Sequence, residues 1–155
     1  MKASSHSVFA TPEFPCDIKK IIDWCEIKKP KIMSINEITY EIRGAIYDVY
    51  KALGPGLLES VYEEALVFEL QSRELKTERQ KRVPITYKGN ILNTDLRIDL
   101  LVEDSVIIEL KSVEVMKKVF AKQLLTYLKL MDKRIGVLVN FNTDNIISSI
   151  TRIIN

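Results

Sequence analysis

The stretch at residues 97–111 reads RIDLLVEDSVIIELK, with apolar runs on either side of a short polar segment at residues 103–105. Polar residues between two such runs are typical of a β-hairpin loop. This loop would set the cross-strand pairs, which are Val102 with Val106, Asp99 with Glu109, and Arg97 with Lys111. Because side chains alternate along a strand, we expect Asp99, Glu109 and Lys111 to share one face of the hairpin.

Asp99 and Glu109 would place two carboxylates directly across the hairpin. Opposed like charges have Cβ atoms only about 5 Å apart and destabilise a sheet unless they are compensated. A hard divalent cation such as Mg²⁺ or Mn²⁺ compensates them, because it prefers oxygen ligands and shares them with water and phosphate. Lys111 lies further along the same face, where its ammonium could stabilise a phosphate or orient an attacking water. We therefore predict a divalent-metal site suited to cutting phosphodiester bonds.

A solvated sheet face with a cross-strand ion pair is the ordinary alternative for an Asp, a Glu and a Lys on strands. The setting of Glu109 argues against it, because Glu109 lies inside the apolar run at residues 106–110. A carboxylate among core residues is costly to bury without a partner. The pattern therefore favours a functional site.

Two amphipathic helices are predicted before the hairpin. Ser34 and Glu37 form a capping-box pattern, and apolar residues then recur every three or four positions over residues 35–53. The helix ends at Gly54-Pro55-Gly56. A second helix over about residues 57–73 carries a predicted apolar stripe of Leu58, Val61, Tyr62, Ala65, Leu66 and Leu70.

Further strands and a third helix complete the predicted domain. Residues 83–87, a turn at Lys88-Gly89-Asn90 and the run at residues 91–102 extend the hairpin into an antiparallel meander. A crossover helix follows over about residues 115–131, and the nearly all-apolar run at 135–141 predicts a strand buried on both faces. The tail is ambiguous between helix and strand, and a strand at 150–154 is favoured. The fold class is α/β, a mixed sheet flanked by helices.

The N-terminal residues differ in composition from the rest. Residues 1–32 are punctuated by Ser and Pro, so we expect a loosely ordered arm before a domain at residues 33–155, with Met33 as a candidate functional start. Cys16 and Cys25 have no partners at metal-ligand spacing and are interpreted as free thiols. We see neither a membrane-spanning run of roughly 18 apolar residues nor a secretory signal pattern, so a cytoplasmic location without membrane contact is expected.

The order of these motifs resembles that of a known superfamily. Asp99, then Glu109-Leu110-Lys111, then a helix with Gln123 and Tyr127 resembles the PD-(D/E)XK nuclease superfamily, in the form with a Gln-x-x-x-Tyr motif. Ile98 occupies the position of the proline in the superfamily's name. The resemblance covers about residue 35 to the C-terminus and implies a restriction-endonuclease-like core.

A second motif lies upstream of the sheet. Gly56-Leu57-Leu58-Glu59-Ser60-Val61-Tyr62 is similar to the motif that names the GxxExxY family of that superfamily. The resemblance implies that Glu59 assists Asp99 and Glu109 in binding the metal, with Glu63 as a second candidate one turn on. A first-turn carboxylate favoured by the helix dipole is the alternative for Glu59. Tyr62 is interpreted as a core residue.

Gln123 and Tyr127 are four residues apart and therefore project from the same side of their helix. The resemblance implies that they contact a phosphate or hold Lys111, with Gln123 positioning the reacting groups. For Tyr127 an alternative remains open, because it lies on the apolar stripe and could pack in the core with its hydroxyl at the rim.

The net charge of +2 is small, so attraction to nucleic acid depends on local clustering. The densest basic stretch comprises Arg73, Lys76, Arg79, Lys81, Arg82 and Lys88. Such a stretch is usually a solvated edge, where lysine deters aggregation. If it lies beside the carboxylates, Arg79, Lys81 and Arg82 would contact a nucleic-acid backbone, with Tyr127 nearby.

The sequence therefore supports two functions. The leading hypothesis is a metal-dependent nuclease that hydrolyses DNA or RNA and needs no cofactor besides Mg²⁺ or Mn²⁺. The alternative is a catalytically silent nuclease-fold module that binds a partner protein or nucleic acid, because fold alone does not determine activity. Nucleic acid is the expected partner, and a homodimer or a partner protein would suit the small domain.

Overall fold

The computed structural model of the protein describes residues 33–155, so the predicted arm at residues 1–32, with its two cysteines, lies outside the described residues. In chain order the helices and strands are α1 (Ile35–Leu53), α2 (Glu59–Ser72), β1 (Thr77–Arg82), β2 (Ile85–Tyr87), β3 (Asn90–Leu92), β4 (Arg97–Val102), β5 (Val106–Lys111), α3 (Lys118–Leu130), β6 (Ile135–Asn140), α4 (Ile146–Ser149) and β7 (Ile150–Ile154). Across this part of the chain, no helix is long and apolar enough to cross a membrane.

α1 begins and ends where the sequence predicts. The Ser34 hydroxyl accepts a hydrogen bond from the Glu37 N–H at 3.3 Å, and Glu37 Oε2 accepts one from the Ser34 N–H at 2.7 Å, which completes the capping box. Gly54 ends the helix with a φ of 70°, a conformation that glycine adopts without strain. The predicted apolar stripe is confirmed for the buried residues Ile38, Ile42, Ala45, Ile46 and Val49, whereas its last member, Leu53, is 41% exposed at the helix end.

α2 buries Tyr62, Leu66 and Leu70, which belong to the same core cluster as the buried stripe of α1. Leu58 and Val61 were predicted to share this stripe but are 74% and 41% exposed. Leu58 precedes the helix in an extended conformation and therefore does not follow its periodicity. Val61 lies in the first turn and lines a surface pocket together with Val49 and Ala65 instead of packing in the core.

Arg73 joins α1 and α2 directly after the second helix ends. Its guanidinium pairs with Glu41 at 2.9 Å, with Asp48, and with Glu69 at 3.1 Å. Gly44 on α1 permits this approach, because a Cβ there would lie 2.8 Å from Arg73 Nη1. One arginine thus links three carboxylates on two helices.

The strands form a mixed five-stranded sheet in the order β1-β4-β5-β6-β7. β1, β4 and β5 are antiparallel neighbours, whereas β6 runs parallel to β5 and β7 antiparallel to β6. α3 lies in the crossover between the two parallel strands, as predicted. The expected α/β fold is therefore confirmed, including the strand favoured for the C-terminal tail.

The beginning of the sheet differs from the predicted meander. Its first strand is β1, a polar run, and the segment predicted to start the meander instead forms β2, which pairs with β3 in a separate two-stranded sheet. β1 is an edge strand whose residues are all at least partly exposed, so it needs no apolar alternation. Hydrophobic periodicity could therefore not identify it.

Each face of the sheet carries its own apolar core. Leu100 and Ile108 pack in the core that α1 and α2 cover. Leu101 and Ile107 pack in the other core, which α3 covers. β6 is buried along its whole length and β5 along all but its last residue, Lys111. The end of β5 thus emerges from the centre of the domain.

Gly136 on β6 lies against Leu124 of α3, and a Cβ at Gly136 would approach the Leu124 side chain to 2.9 Å. A contact this short forces a packed neighbour to move. We therefore expect Gly136→Ala to lower the free energy of unfolding by about 1–3 kcal/mol, measured by urea denaturation.

The control for this prediction is a double-mutant cycle with Leu124→Ala. Truncation of Leu124 removes the side chain that the new methyl group would meet, so Gly136→Ala should cost clearly less in that background. An equal cost in both backgrounds would show that close packing on Leu124 is not the reason.

Candidate active site

The hairpin pairing is regular near the loop and ends before the predicted acidic pair. Val102 pairs with Val106 as expected, but the ladder stops two residues further along β4. Among the described residues it lacks two predicted pairs, Asp99 with Glu109 and Arg97 with Lys111. The reason is a side-chain contact, because Asp99 Oδ2 accepts a hydrogen bond from the Leu110 N–H at 2.8 Å. The Asp99 carboxylate is thus bonded to the strand that carries Glu109.

The neighbouring strand β1 is irregular at the same level. Gln80 has a φ of 47° and is missing from the β1–β4 ladder, which continues on both sides of it. Its side-chain amide donates a hydrogen bond to Glu63 Oε2 at 2.8 Å, and Arg79 Nε donates one to Glu63 Oε1 at 2.8 Å. Both oxygens of Glu63 are therefore engaged, which makes Glu63 a poorer candidate ligand than Glu59.

Glu109 and Lys111 form a buried ion pair at the end of β5. Lys111 Nζ donates to Glu109 Oε1 at 2.7 Å and to the Leu110 carbonyl at 2.9 Å. The two side chains are only 3% and 11% exposed, respectively. The second oxygen, Glu109 Oε2, is buried without a hydrogen-bond partner. A buried carboxylate is thus half satisfied by its own lysine.

The pKa values follow from this burial. Burial and the negative charge of Asp99 raise the pKa of Glu109 to about 7, against the opposing effect of Lys111. Burial also raises the pKa of Asp99, and the Leu110 N–H and Lys111 reduce that rise. For Lys111, burial lowers the pKa, but the hydrogen bond and charge of Glu109 outweigh it and the net change is a rise. The lysine thus stays charged, while both carboxylates resist ionisation.

Glu59 adds a third carboxylate from the first turn of α2. Its Oε1 accepts a hydrogen bond from the Ser112 N–H at 3.1 Å, directly after the end of β5. Its charge raises the pKa of Asp99, Glu109 and Lys111. Glu59 therefore belongs electrostatically to the same cluster, and its Ser112 contact gives it a role beyond that of a helix-dipole carboxylate.

Tyr62 explains how α2 presents Glu59. The Tyr62 hydroxyl donates to the Gly54 carbonyl at 2.7 Å and accepts from the Leu57 N–H at 3.1 Å, and its ring stacks on Phe141 at 4.3 Å between centroids. Tyr62 is fully buried, which confirms its interpretation as a core residue. The glycine-rich turn is thereby tied to the start of the helix that carries Glu59.

α3 reaches the cluster through Phe120, whose ring centroid lies 5.4 Å from Lys111 Nζ in cation–π geometry. Gln123 donates a hydrogen bond from Nε2 to the Tyr127 hydroxyl. Tyr127 is 5% exposed and packs in the core under α3, as its position on the apolar stripe suggested. Within residues 33–155, no hydrogen bond joins Gln123 or Tyr127 to the acidic cluster.

Ser112, Phe120 and Asn140 contribute to the site but were not identified from the sequence. Asn140 is 4% exposed, and its amide exchanges hydrogen bonds with the backbone of Val113 at 3.0 and 2.8 Å. This fixes the chain just after Lys111. A polar residue in an otherwise apolar strand was a signal for Asn140, whereas Phe120 gave none, because its contact depends on helix packing.

The basic residues expected to contact nucleic acid lie on or beside the edge strand and are engaged within the domain. The pairs are Arg79 with Glu63 and Glu64, Lys81 with Glu78 at 3.1 Å, and Arg82 with Asp95 at 3.2 Å. Such pairing reduces the positive potential that the edge presents to solvent. The predicted basic track is therefore largely neutralised.

The carboxylates of Asp99, Glu109 and Glu59 are chemically suitable ligands for a hard divalent cation, but they do not form a preassembled metal site. Over residues 33–155, no three acidic, His or Cys side chains lie close enough together to hold a metal ion. Each carboxylate has one oxygen engaged by a donor of the domain. Lys111 donates to Glu109, the Leu110 N–H donates to Asp99, and the Ser112 N–H donates to Glu59. The unpartnered Glu109 Oε2 is nevertheless costly to bury, and a cation would offset that cost. These three carboxylates are the residues that would hold it.

A helix pair, a mixed sheet and a buried acid followed by lysine at the end of a central strand define a domain of the restriction-endonuclease type. A family model of the PD-(D/E)XK nuclease superfamily matches residues 36–153, and the chain therefore belongs to this superfamily. Comparisons with curated proteins and with solved structures gave no significant match. The nuclease fold implies interaction with nucleic acid, and nucleases of this superfamily generally use divalent metals.

The raised pKa of Glu109 predicts a specific pH dependence of stability. Between the usual value of 4.5 and about 7, the folded state keeps the proton that the unfolded state releases. The folded state thus binds more protons, so stability falls as pH rises through this window, by about 3 kcal/mol. Glu109→Gln removes the ionisable group, so the variant should gain that amount relative to wild type between pH 4.5 and 7.5.

Urea denaturation in EDTA at several pH values measures this difference without interference from metal ions. Glu114→Gln, at an exposed position, serves as the control and should track wild type at every pH. A difference between Glu109→Gln and wild type that does not change with pH would contradict the raised pKa.

Proposed function

We propose that the protein is a metal-dependent nuclease that hydrolyses phosphodiester bonds of DNA or RNA. The observation that carries the proposal is the buried pair of Glu109 and Lys111, with Glu109 Oε2 left without a partner. A purely structural ion pair would be expected to satisfy both carboxylate oxygens, because an unsatisfied buried oxygen is costly. The half-satisfied pair is therefore best explained by a ligand that is bound in function.

In this proposal Asp99, Glu109 and Glu59 hold a Mg²⁺ or Mn²⁺ ion, which polarises the scissile phosphate when bound. Their carboxylate oxygens match the preference of these ions for hard oxygen ligands. Asp99 and Glu59 are each held by one backbone N–H, which orients the carboxylate and leaves its other oxygen for a ligand. The approach of the three carboxylates to one ion would complete the site.

Lys111 is proposed to stabilise charge on the phosphate. An ammonium group has three N–H donors, and Glu109 and the Leu110 carbonyl use two of them. The remaining donor can therefore point to a phosphate oxygen while Lys111 stays charged.

Gln123 is proposed to orient the attacking water. Its amide nitrogen donates to Tyr127, which leaves its carbonyl oxygen without a partner in the described part of the chain. An amide oxygen accepts hydrogen bonds and can therefore hold a water in one orientation. Tyr127, buried in the core, would fix the direction of this amide rather than contact substrate.

We further propose that the chain belongs to the GxxExxY family within the superfamily. Gly56, Glu59 and Tyr62 carry that motif. Glu59 contacts Ser112 directly after β5, and Tyr62 stacks on Phe141 directly after β6. Gly56 has a φ of 99°, a conformation that favours glycine. The motif thus has a physical role in building the proposed site.

A catalytically silent module that binds a partner protein or nucleic acid is the second candidate function. It is favoured by the finding that no three potential ligands are already gathered for a metal over residues 33–155. In such a module the Lys111 ammonium would permanently replace the cation beside Glu109. The two functions differ in their dependence on added metal.

Cleavage of labelled single- and double-stranded DNA and RNA by purified protein, with Mg²⁺, Mn²⁺ or EDTA, tests the proposal. We expect metal-dependent cleavage that falls about 100-fold or more in Glu109→Gln and in Lys111→Met, because each removes a group acting on the phosphate or its metal. Glu114→Gln, an acid outside the cluster, is the matched control and should cleave like wild type.

Calorimetric titration with Mn²⁺ gives a second, independent measurement. Wild type should bind the ion, and Asp99→Asn with Glu109→Gln should not. Absence of cleavage on every substrate, together with absence of metal binding, would favour the silent module.

A further inference from the structure

The basic side chains of residues 33–155 fall into two groups, those that form ion pairs with acids of the domain and those that are exposed without such a pair. Most basic side chains of the predicted basic stretch are paired with acids of the domain. Lys117, Lys118 and Lys122 are exposed, and within residues 33–155 none of them forms an ion pair. Three unneutralised positive charges therefore lie within six consecutive residues.

Two of these lysines lie on one side of α3 together with Lys129, and Lys117 directly precedes the helix. The positions 118, 122 and 129 repeat at intervals of four and seven residues, which places Lys118, Lys122 and Lys129 on a single stripe of the helix. α3 itself contains no acidic residue, and the flanking acids are Glu114 and Asp132. The stripe therefore keeps its net positive charge.

The beginning of this stripe lies beside the proposed active site. Phe120, between Lys118 and Lys122 in sequence, is the residue whose ring contacts Lys111 Nζ. The loop before α3 is held by the two hydrogen bonds between Asn140 and Val113. The lysines are thus carried on an element with a fixed position relative to the acidic cluster.

The length of the stripe suits a nucleic-acid strand. Lys118 and Lys129 are eleven positions apart, which corresponds to about 16 Å along a helix. At 3.4 Å per phosphate along one strand, this distance follows about five nucleotides. Unpaired lysines at such spacing attract phosphates without reading base sequence.

We propose that Lys117, Lys118, Lys122 and Lys129 form the surface that binds the phosphate backbone of the nucleic-acid substrate and guides it to the acidic cluster. This inference rests on the proposed nuclease function and assigns the substrate grip to α3 instead of the edge strand β1. Counterions released from the phosphates would provide the binding free energy.

A membrane surface is the competing partner for a basic helix with exposed Val115, Met116 and Val119. The burial of the main apolar stripe of α3 argues against it, because Leu124 and Leu128 already pack in the domain core. An interfacial helix needs its apolar face for the lipid. The structure therefore favours nucleic acid as the ligand.

Fluorescence anisotropy with labelled single- and double-stranded oligonucleotides, in EDTA and over a series of KCl concentrations, tests this inference in the full chain. The variant carries Lys117→Gln, Lys118→Gln and Lys122→Gln. We expect it to lose about tenfold or more in affinity at low salt. The slope of log K against log salt should fall by about 0.9 per lysine for a duplex, or about 0.7 for a single strand.

Two matched variants control for net charge and for folding. The first is a triple variant that removes the same number of exposed charges from α1 and the β2–β3 turn. It combines Arg43→Gln, Lys51→Gln and Lys88→Gln and should bind like wild type. Lys117→Arg with Lys118→Arg and Lys122→Arg keeps the charge and should restore affinity and slope. Circular dichroism should show equal thermal stability, because all the altered side chains are exposed.

Equal loss in the α3 variant and the Arg43, Lys51 and Lys88 variant would overturn the inference, since attraction would then depend on net charge alone. Absence of nucleic-acid binding by wild type would also overturn it, as would lysine-dependent binding to phosphatidylserine vesicles in its place. Because EDTA prevents metal-dependent cleavage, these outcomes are independent of catalysis. Lysine-dependent binding without any cleavage in Mg²⁺ would instead reject the nuclease and leave the binding surface standing.

Discussion

The burial of the Glu109 carboxylate at the end of the central strand is the constraint on which the rest of the site depends. A charge in a poorly solvated position needs partners, and the pairing of Lys111 with Glu109 at 2.7 Å is the first of them. The lysine satisfies one oxygen and leaves the other without a hydrogen bond. Burial and the negative charge of Asp99 outweigh this partial compensation and raise the pKa of Glu109 to about 7.

The backbone pairing of the strands around Glu109 is interrupted next to the acidic side chains. Asp99 bonds through its side chain to the backbone of the strand that carries Glu109, and the ladder ends there. Gln80 adopts a left-handed conformation on the next strand and holds Glu63 instead of continuing the ladder. Such local departures cost free energy and tend to occur at functional positions. The apolar cores on both faces of the sheet provide the stability that permits them.

The two basic regions differ in how far their positive charges are neutralised by acids of the domain. The basic edge strand is engaged in ion pairs, several of which connect it to α2 and to neighbouring loops. The lysines of α3 have no such partners among the described residues, and they share their helix with Phe120, whose ring lies against Lys111. Since net charge is only +2, the position of unpaired cations decides where a polyanion would approach.

Local features of the chain were predictable wherever a short-range rule applied. The capping box at Ser34, the periodicity of α1 and the apolar run of β6 specify their elements, because the helix and strand periods are visible within ten to twenty residues. The motif that ends in Glu109 and Lys111 indicated the candidate acids and their neighbouring lysine. The polar strand β1 was not predicted, and Leu58 was wrongly placed on the apolar stripe, because an edge position and a helix start are not encoded in periodicity.

The sequence by itself determined the helices, the buried strands and the identity of the acidic and basic groups near Glu109. The tertiary structure alone decided that the Asp99 side chain ends the ladder, that Phe120 lies against Lys111, and that Asn140 fixes the chain after β5. It also decided which cations are neutralised. The physical reason is that each of these contacts depends on the direction of one side chain and on how the helices pack on the sheet, which hydrophobic periodicity and motif spacing do not specify.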